Sequence, residues 1–174
     1  MRSRACVPRC AAARSRMSEP EAVIARGEAE TEATAERLAG TLGESDVVYL
    51  EGDLGAGKTT FARGLARGLG ARAREVASPT FALLNEYAGE AGAIVLRHLD
   101  LYRLADTRRD LEALGLPDSV AGAPACIEWP RTAIRGLLAP TVEVRIETLP
   151  GGESRRIGVT RPSGGASPAS TRKR

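Results

Sequence analysis

Residues 50–70, with the sequence LEGDLGAGKTTFARGLARGLG, constrain the fold of this chain more than any other stretch. The glycine-rich part of this stretch follows a short apolar run, VVYL at 47–50. An apolar run of this length that ends at a glycine turn is typical of a buried strand. Apolar residues then recur at every fourth position before Gly70, which predicts a helix over 58–69. The chain is therefore expected to contain a strand, a glycine-rich loop and a helix in direct succession.

The loop within this stretch matches the pattern G-x-x-x-x-G-K-[ST] through Gly52, Gly57, Lys58 and Thr59. A glycine-rich loop turns its backbone N–H groups inward around a polyphosphate, and the N-terminus of the following helix adds positive potential. In such a loop the lysine neutralises the β- and γ-phosphates, and the threonine hydroxyl ligates Mg²⁺. The pattern therefore predicts a nucleotide-binding loop, the P-loop, rather than a plain glycine-rich turn.

Lysine usage supports this interpretation. Residues 18–160 contain fifteen arginines and a single lysine, Lys58. Because the chain uses arginine where a positive charge alone is needed, the one lysine is expected where a compact ammonium is required. A guanidinium fork would clash among phosphates at this position.

Two acidic residues at the ends of predicted strands are candidate partners of Mg²⁺. Asp100 closes the run AIVLRHLD, and Glu128 closes ACIE. Both are expected at the sheet edge beside the P-loop, where Mg²⁺ needs carboxylate support directly or through water. The alternative is that each acid caps the segment that follows it. His98, the sole histidine, is predicted to be a hydrogen-bonded structural side chain near Arg97 and Asp100.

The rest of the chain alternates strand-like and helix-like stretches without an internal repeat. The loop TLPGGES is expected to join the last two strands as a hairpin. This succession predicts an α/β fold, a three-layer P-loop NTPase-like domain with a mixed β-sheet flanked by helices. Helices are predicted at 28–43, 58–69, 107–114 and 131–138, and strands at 47–50, 81–87, 93–99, 125–129, 142–147 and 155–160.

Charge is distributed unevenly along the chain. Nine of the 25 basic residues lie in 1–17 and 161–174, and those two segments contain no acid. Residues 18–160 combine 16 basic with 22 acidic residues, and this excess of acid argues against a basic nucleic-acid-binding face on the folded body. We therefore predict a disordered N-terminal extension at 1–17, a P-loop ATPase domain at 18–160 and a disordered basic tail at 161–174. Translation from Met17, or an organellar transit peptide, would each account for the first segment.

The cysteines and the apolar runs predict a cytoplasmic protein. Cys6, Cys10 and Cys126 are too few for a disulfide framework, and Cys126 is expected in the core. The sequence contains no run of 18 apolar residues, so we expect no membrane-spanning segment.

Missing residue types narrow the choice among P-loop proteins. The sequence contains no glutamine, and its one asparagine, Asn85, is not followed by lysine. A Ras-like water-positioning glutamine and the guanine-reading Asn-Lys-x-Asp motif are therefore absent from the sequence. A small-metabolite kinase remains open, because Arg103, Arg108 and Arg109 suit a phosphate-covering lid as well as a solvated helix face. A nucleotide-sensing module without turnover is the third alternative.

Four ordered motifs carry a resemblance to a known family. GDLGAGKTTFARGLARGLG is followed by SPTFALLNEY, HLDLYRL and IEWP. Over residues 28–160 the chain resembles the TsaE family. The resemblance implies a P-loop ATPase, weak on its own, that works with TsaB and TsaD partners and contacts tRNA only through that complex. It implies support for the N6-threonylcarbamoyl group on adenosine 37 of tRNAs reading ANN codons, by driving or resetting the partners rather than forming the bond.

The resemblance also assigns roles to individual residues. It implies catalytic roles for Lys58, Asp100 and Glu128. It implies that Mg²⁺ is ligated by Thr59 and Glu128. It implies that ATP contacts Leu54, Gly55, Ala56, Gly57, Lys58, Thr59, Thr60, Thr31 and Thr80.

Further roles follow from the same resemblance. Asp100 would orient a water molecule or hold one bound to the metal. Thr80, within SPTF, would belong to a switch-like segment near the γ-phosphate, and Trp129 would lie beside Glu128. The resemblance also places Glu28 and Thr31 near the adenine or ribose, and either Arg155 or Arg156 at the nucleotide.

Overall fold

The computed structural model describes five parts of the chain, residues 21–72, 83–104, 107–113, 115–116 and 118–162. These parts form seven strands and four α-helices. In chain order the elements are β1 (Glu21–Arg26), α1 (Gly27–Ala39), β2 (Val47–Glu51), α2 (Lys58–Gly68), β3 (Leu84–Ala88), β4 (Ile94–Asp100), α3 (Arg108–Ala113), a 3₁₀ turn (Asp118–Val120), β5 (Ala125–Glu128), α4 (Thr132–Leu137), β6 (Val142–Thr148) and β7 (Ser154–Thr160).

All seven strands belong to one mixed sheet with the order β1-β7-β6-β2-β5-β4-β3. The four central strands, β6, β2, β5 and β4, run parallel to one another. The outer pairs β1/β7, β7/β6 and β3/β4 are antiparallel, and β6/β7 is the predicted hairpin. Because parallel strands end at a common edge, the residues that follow β2, β4 and β5 meet at one side of the sheet.

Helices cover both faces of this sheet. One core lies between the sheet and α1 and α2, and it includes Phe61 and Leu65 of α2 packed against Leu50 of β2. The other lies against α3 and α4, with Tyr49 and Ile127 from the neighbouring positions of β2 and β5. Alternate residues of the same strands thus serve opposite cores, as the pleat requires. This arrangement confirms the predicted three-layer α/β fold.

Helices α1 and α2 pack unusually close to each other. A Cβ added at Gly64 would lie 2.7 Å from the Cβ of Ala35, and one added at Gly68 would lie 2.6 Å from the Cβ of Ala39. Contacts this short do not occur between real Cβ atoms, so both glycines are needed for the approach of the two helices. Ion pairs from Arg63 and Arg67 to Glu32 join the same helices at their surface.

The elements differ from the predictions in three places. Strand β1 was not predicted from the sequence. Helix α1 ends at Ala39 rather than at 43, because the chain turns there through a hydrogen bond from Thr41 N–H to the Leu38 carbonyl. The strand predicted at 81–87 is β3, which begins at Leu84, and residues 81–82 lie outside the described parts. Cys126 is fully buried in the core, as expected.

Some predictions concern residues outside the described parts. Residues 1–20 and 163–174 are among these, so the predicted disorder at the two ends stays a prediction. Within the described parts, none of the helices has the length and apolar character needed to cross a membrane.

Candidate functional site

The loop between β2 and α2 follows a path that requires glycine. Gly52 has φ of 151°, and a Cβ there would overlap the Ile146 carbonyl oxygen of β6. Gly57 lies in the left-handed region at φ 105° and ψ 21°, directly before the first residue of α2. Side chains strongly disfavour both conformations. The first and last glycines of the motif are therefore fixed by the backbone geometry that brings the loop from the strand into the helix.

Lys58 is folded back over this loop. It is only 4% exposed, and its Nζ donates hydrogen bonds of 2.8 Å to the carbonyl oxygens of Gly52 and Asp53. The same Nζ lies 3.7 Å from the centroid of the Trp129 ring. Burial lowers the pKa of Lys58, and the carboxylates of Glu128, Asp100 and Asp53 oppose this shift. The loop carbonyls and the indole ring thus hold a desolvated ammonium at the N-terminus of α2.

Asp100 and Glu128 lie side by side next to the loop. They are the last residues of the parallel strands β4 and β5, and they are paired in register. Asp100 is 6% exposed and Glu128 is 3% exposed. Asp100 accepts a 2.9 Å hydrogen bond from the backbone N–H of Tyr102, and Glu128 Oε1 accepts a 3.0 Å hydrogen bond from Thr59 Oγ1. The expected position of both acids at the edge beside the P-loop is therefore confirmed.

These residues enclose a cleft of about 450 Å³. The described residues that line it are Leu54, Gly55, Gly57, Lys58, Thr59, Thr60, Asp100, Tyr102, Arg103, Glu128 and Trp129. Ala56, which was also expected to contact the nucleotide, is 2% exposed and belongs to the core behind the loop. The structure therefore gathers most of the sequence-predicted site residues around one cleft.

The donor atoms around the cleft suit a magnesium ion. Thr59 supplies a hydroxyl oxygen, and Asp100 and Glu128 supply carboxylates, which are the hard ligands that Mg²⁺ prefers. Within the described parts of the chain, no group of three or more His, Cys, Asp or Glu side chains can hold a metal ion on its own.

Three further residues lie at this site. His98 is the buried, hydrogen-bonded side chain that was predicted, and its Nε2 lies 2.9 Å from Glu128 Oε1. Tyr102 packs on Trp129 at 4.9 Å between ring centroids, and Arg103 lines the cleft. The position of HLDLYRL around Asp100 was the available signal for all three.

Trp129 itself adopts an unusual backbone conformation. Its φ is 57°, in the left-handed region that residues with bulky side chains rarely enter. Its N–H bonds to the Leu50 carbonyl at 3.3 Å. The turn at Trp129 ends β5 directly after Glu128 and places the indole against Lys58.

The structure does not bring every predicted nucleotide contact to the cleft. Thr31 is 1% exposed and donates its hydroxyl to the Gly27 carbonyl, and Glu28 lies 3.6 Å from Arg63 on the outer side of the helices. Neither residue lines the cleft, so their roles stay predictions. Thr80 lies outside the described residues.

Of the other arginines that were predicted near the nucleotide, one lies beside the P-loop and the others lie away from it. A Cβ placed on Gly57 would lie 3.7 Å from Arg155 Nε, so Arg155 lies beside the P-loop. Arg156 instead lies 3.9 Å from Glu147 in a different pocket. Arg108 and Arg109 are exposed on α3 and do not line the cleft, as on a solvated helix face, whereas Arg103, the third arginine of the predicted alternatives, lines it.

Comparison with known proteins identifies a family and several relatives of this chain. The family model for the threonylcarbamoyl adenosine biosynthesis protein TsaE matches residues 25–157. Curated tRNA threonylcarbamoyladenosine biosynthesis proteins TsaE are similar as well. The Bacillus subtilis protein is 46% identical over 58% of this chain and 60% of its own length. The Rickettsia felis protein is 37% identical over 73% and 72%, and the Streptomyces coelicolor protein is 37% identical over 71% and 85%.

A solved structure is similar in fold and in sequence. The crystal structure of Bacillus subtilis YdiB superposes with a TM-score of 0.62 and 32% identity, covering 85% of this chain and 90% of that one. The chain therefore belongs to the TsaE family of tRNA threonylcarbamoyladenosine biosynthesis proteins.

Proposed function

We propose that this protein binds and hydrolyses ATP in a Mg²⁺-dependent manner. We propose further that, together with TsaB and TsaD, it supports formation of the threonylcarbamoyl group on adenosine 37 of tRNAs that read ANN codons. The observation that carries the proposal is the position of Lys58 and Thr59, at the start of α2, opposite the paired carboxylates of Asp100 and Glu128. Membership of the TsaE family supports the pathway.

Each group around the cleft has a distinct part in this proposal. The backbone N–H groups of the P-loop and the N-terminus of α2 would bind the phosphates. Lys58 would exchange its bonds to the loop carbonyls for the β- and γ-phosphate oxygens. Thr59 and Glu128 would hold Mg²⁺, and the bound ion would neutralise charge on the phosphates. Asp100 would orient the water that attacks the γ-phosphate.

The positions of the arginines near the cleft lead us to expect slow ATP hydrolysis by the isolated protein. Hydrolysis needs charge neutralisation beyond a lysine and Mg²⁺, and an arginine supplied in cis or in trans commonly provides it. Arg103 lines the cleft at its exposed rim, and Arg155, which lies beside Gly57, donates to the carbonyl oxygens of Gly152 and Glu153. We therefore expect weak hydrolysis by the protein alone and faster hydrolysis when TsaB and TsaD are present.

A small-metabolite kinase is the second candidate. A neighbouring cleft of about 600 Å³ shares Trp129 with the first, and Arg131 and Arg145 are among its lining residues. A metabolite bound there would lie within reach of the phosphate cleft. Incubation with γ-labelled ATP separates the candidates, because a hydrolase releases labelled inorganic phosphate and a kinase makes a labelled organic product. Binding without any transfer of label would identify a nucleotide-sensing module.

Two further experiments test the pathway itself. Reconstitution with TsaB, TsaD, tRNA and ATP should yield modified adenosine over repeated cycles, and the Lys58→Ala variant is its matched control. Filter binding should show that tRNA is not retained by residues 18–160 alone, because that segment carries more acidic than basic residues. Tight retention at physiological salt would contradict an indirect tRNA contact.

A further inference from the structure

A buried histidine contacts the carboxylate that faces the P-loop. His98 lies on β4 and is 0% exposed. In the parallel pairing of β4 with β5, His98 is opposite Cys126, which places Glu128 two positions further along the same face. This diagonal relation lets the imidazole Nε2 reach Glu128 Oε1 at 2.9 Å. The contact is thus set by the register of two central strands.

The hydrogen-bond directions follow from the chemistry of the groups. A carboxylate only accepts hydrogen bonds, so Nε2 of His98 is the donor to Glu128. Thr59 Oγ1 donates to the same oxygen, Oε1, at 3.0 Å. On its other side, Nδ1 of His98 lies 3.4 Å from the hydroxyl of Tyr87, a residue of the edge strand β3 that is 4% exposed. A chain of polar contacts therefore runs from β3 through His98 and Glu128 to the first turn of α2.

We propose that His98 is a positioning residue for Glu128. With both donors on Oε1, the carboxylate is held in one orientation, and its second oxygen remains for the metal ion or a metal-bound water. Outer hydrogen bonds of this kind orient metal-binding side chains, and their loss weakens metal affinity by about 10- to 100-fold. This inference rests on the proposed Mg²⁺-dependent binding of ATP.

A spectroscopic measurement tests the geometry without nucleotide. His98 is the only histidine, so untagged full-length protein labelled with ¹⁵N-histidine contains a single imidazole. We expect its NMR spectrum to show a hydrogen on Nε2. The Nε2 signal should move when Glu128 is replaced by alanine, and it should stay in place in Leu111→Ala, a buried change in α3 on the other face of the sheet. An Nε2 without hydrogen would overturn the proposal.

A binding measurement tests the positioning role. The only tryptophan, Trp129, lies 3.7 Å from Lys58 Nζ, so its fluorescence should report ATP at the loop. We expect His98→Leu to raise the Mg²⁺ concentration needed for half-saturation by about tenfold. Its affinity for ATP in EDTA should stay within about twofold of the wild-type value, because Glu128 does not take part without metal. Leu111→Ala, the control, should lower thermal stability and leave the Mg²⁺ requirement unchanged.

Side-chain rescue distinguishes a donor from a space-filling group. Glutamine can place an N–H near the position of Nε2, whereas asparagine reaches only the position of Nδ1. His98→Gln should therefore require less Mg²⁺ than His98→Asn, and this comparison remains decisive if His98→Leu does not fold. Equal Mg²⁺ requirements in these two variants, or an unchanged requirement in His98→Leu, would overturn the positioning role. Failure of the wild-type protein to bind ATP would overturn the proposed function instead.

Discussion

Replacing Gly52 by alanine tests whether the loop backbone is fixed by β6. The new Cβ would overlap the Ile146 carbonyl oxygen and lie 3.2 Å from the Cβ of Ala56. Overpacking of this kind costs about 1–3 kcal/mol. The φ of 151° adds about 1–2 kcal/mol for a residue with a side chain. We therefore expect Gly52→Ala to lower the free energy of unfolding by about 2–5 kcal/mol.

The same substitution should weaken ATP binding. The loop can relieve the overlap only by moving away from β6, and that movement displaces the N–H groups that would face the phosphates. Hydrogen bonds to charged groups contribute about 1.5–3 kcal/mol each. Loss of two of them corresponds to a decrease in affinity of about 100-fold or more.

Gly92→Ala is the matched control, because Gly92 does not line the cleft. Gly92 also has a positive φ, 82°, but a Cβ there would have no atom within 4 Å. Its expected cost is only the backbone contribution, about 1–2 kcal/mol. Urea unfolding gives the two stabilities, and titration of the Trp129 fluorescence with MgATP gives the affinities. If Gly52→Ala were as stable as Gly92→Ala and bound ATP equally well, the argument for a fixed loop would be wrong.

Three further predictions concern the chemistry of the cleft. Lys58→Ala and Glu128→Ala should each abolish release of phosphate from ATP, and steady hydrolysis by either variant would refute the role assigned to that residue. Addition of TsaB and TsaD should raise the rate of hydrolysis, and equal rates with and without them would count against the coupling. Burial lowers the pKa of Lys58 below its usual 10.5, so part of the free protein carries a neutral amine at alkaline pH. Because the phosphates favour the ammonium, ATP binding at alkaline pH should take up protons, and calorimetry in buffers of different ionisation enthalpy should detect this.

Much of the site could be predicted because its residues stand at the ends of parallel strands. The P-loop pattern required a strand before it and a helix after it, and β2 and α2 lie at those positions. Asp100 and Glu128 each closed an apolar run, and the parallel register of β4 and β5 brings them together. For these residues, local pattern and sheet topology agree.

Other features depend on contacts between distant segments. Strand β1 is a short edge strand flanked by charged residues, and it pairs with β7, which lies more than 100 residues later. Gly64 and Gly68 weaken a helix by propensity, whereas in the fold they allow α1 and α2 to approach closely. The bond from His98 to Glu128 depends on the register of β4 and β5, which a single sequence does not reveal.

The left-handed backbone at Trp129 has a consequence for how this protein tolerates change. A residue other than glycine, asparagine or aspartate loses about 1–2 kcal/mol of folding stability by adopting that conformation. Random mutagenesis selected only for thermal resilience would therefore tend to replace the indole with a small or amide side chain. Such variants would lose the backbone strain at residue 129 but would also lose the indole that packs against the Lys58 ammonium. Thermal stability and nucleotide binding therefore place opposite demands on this one position.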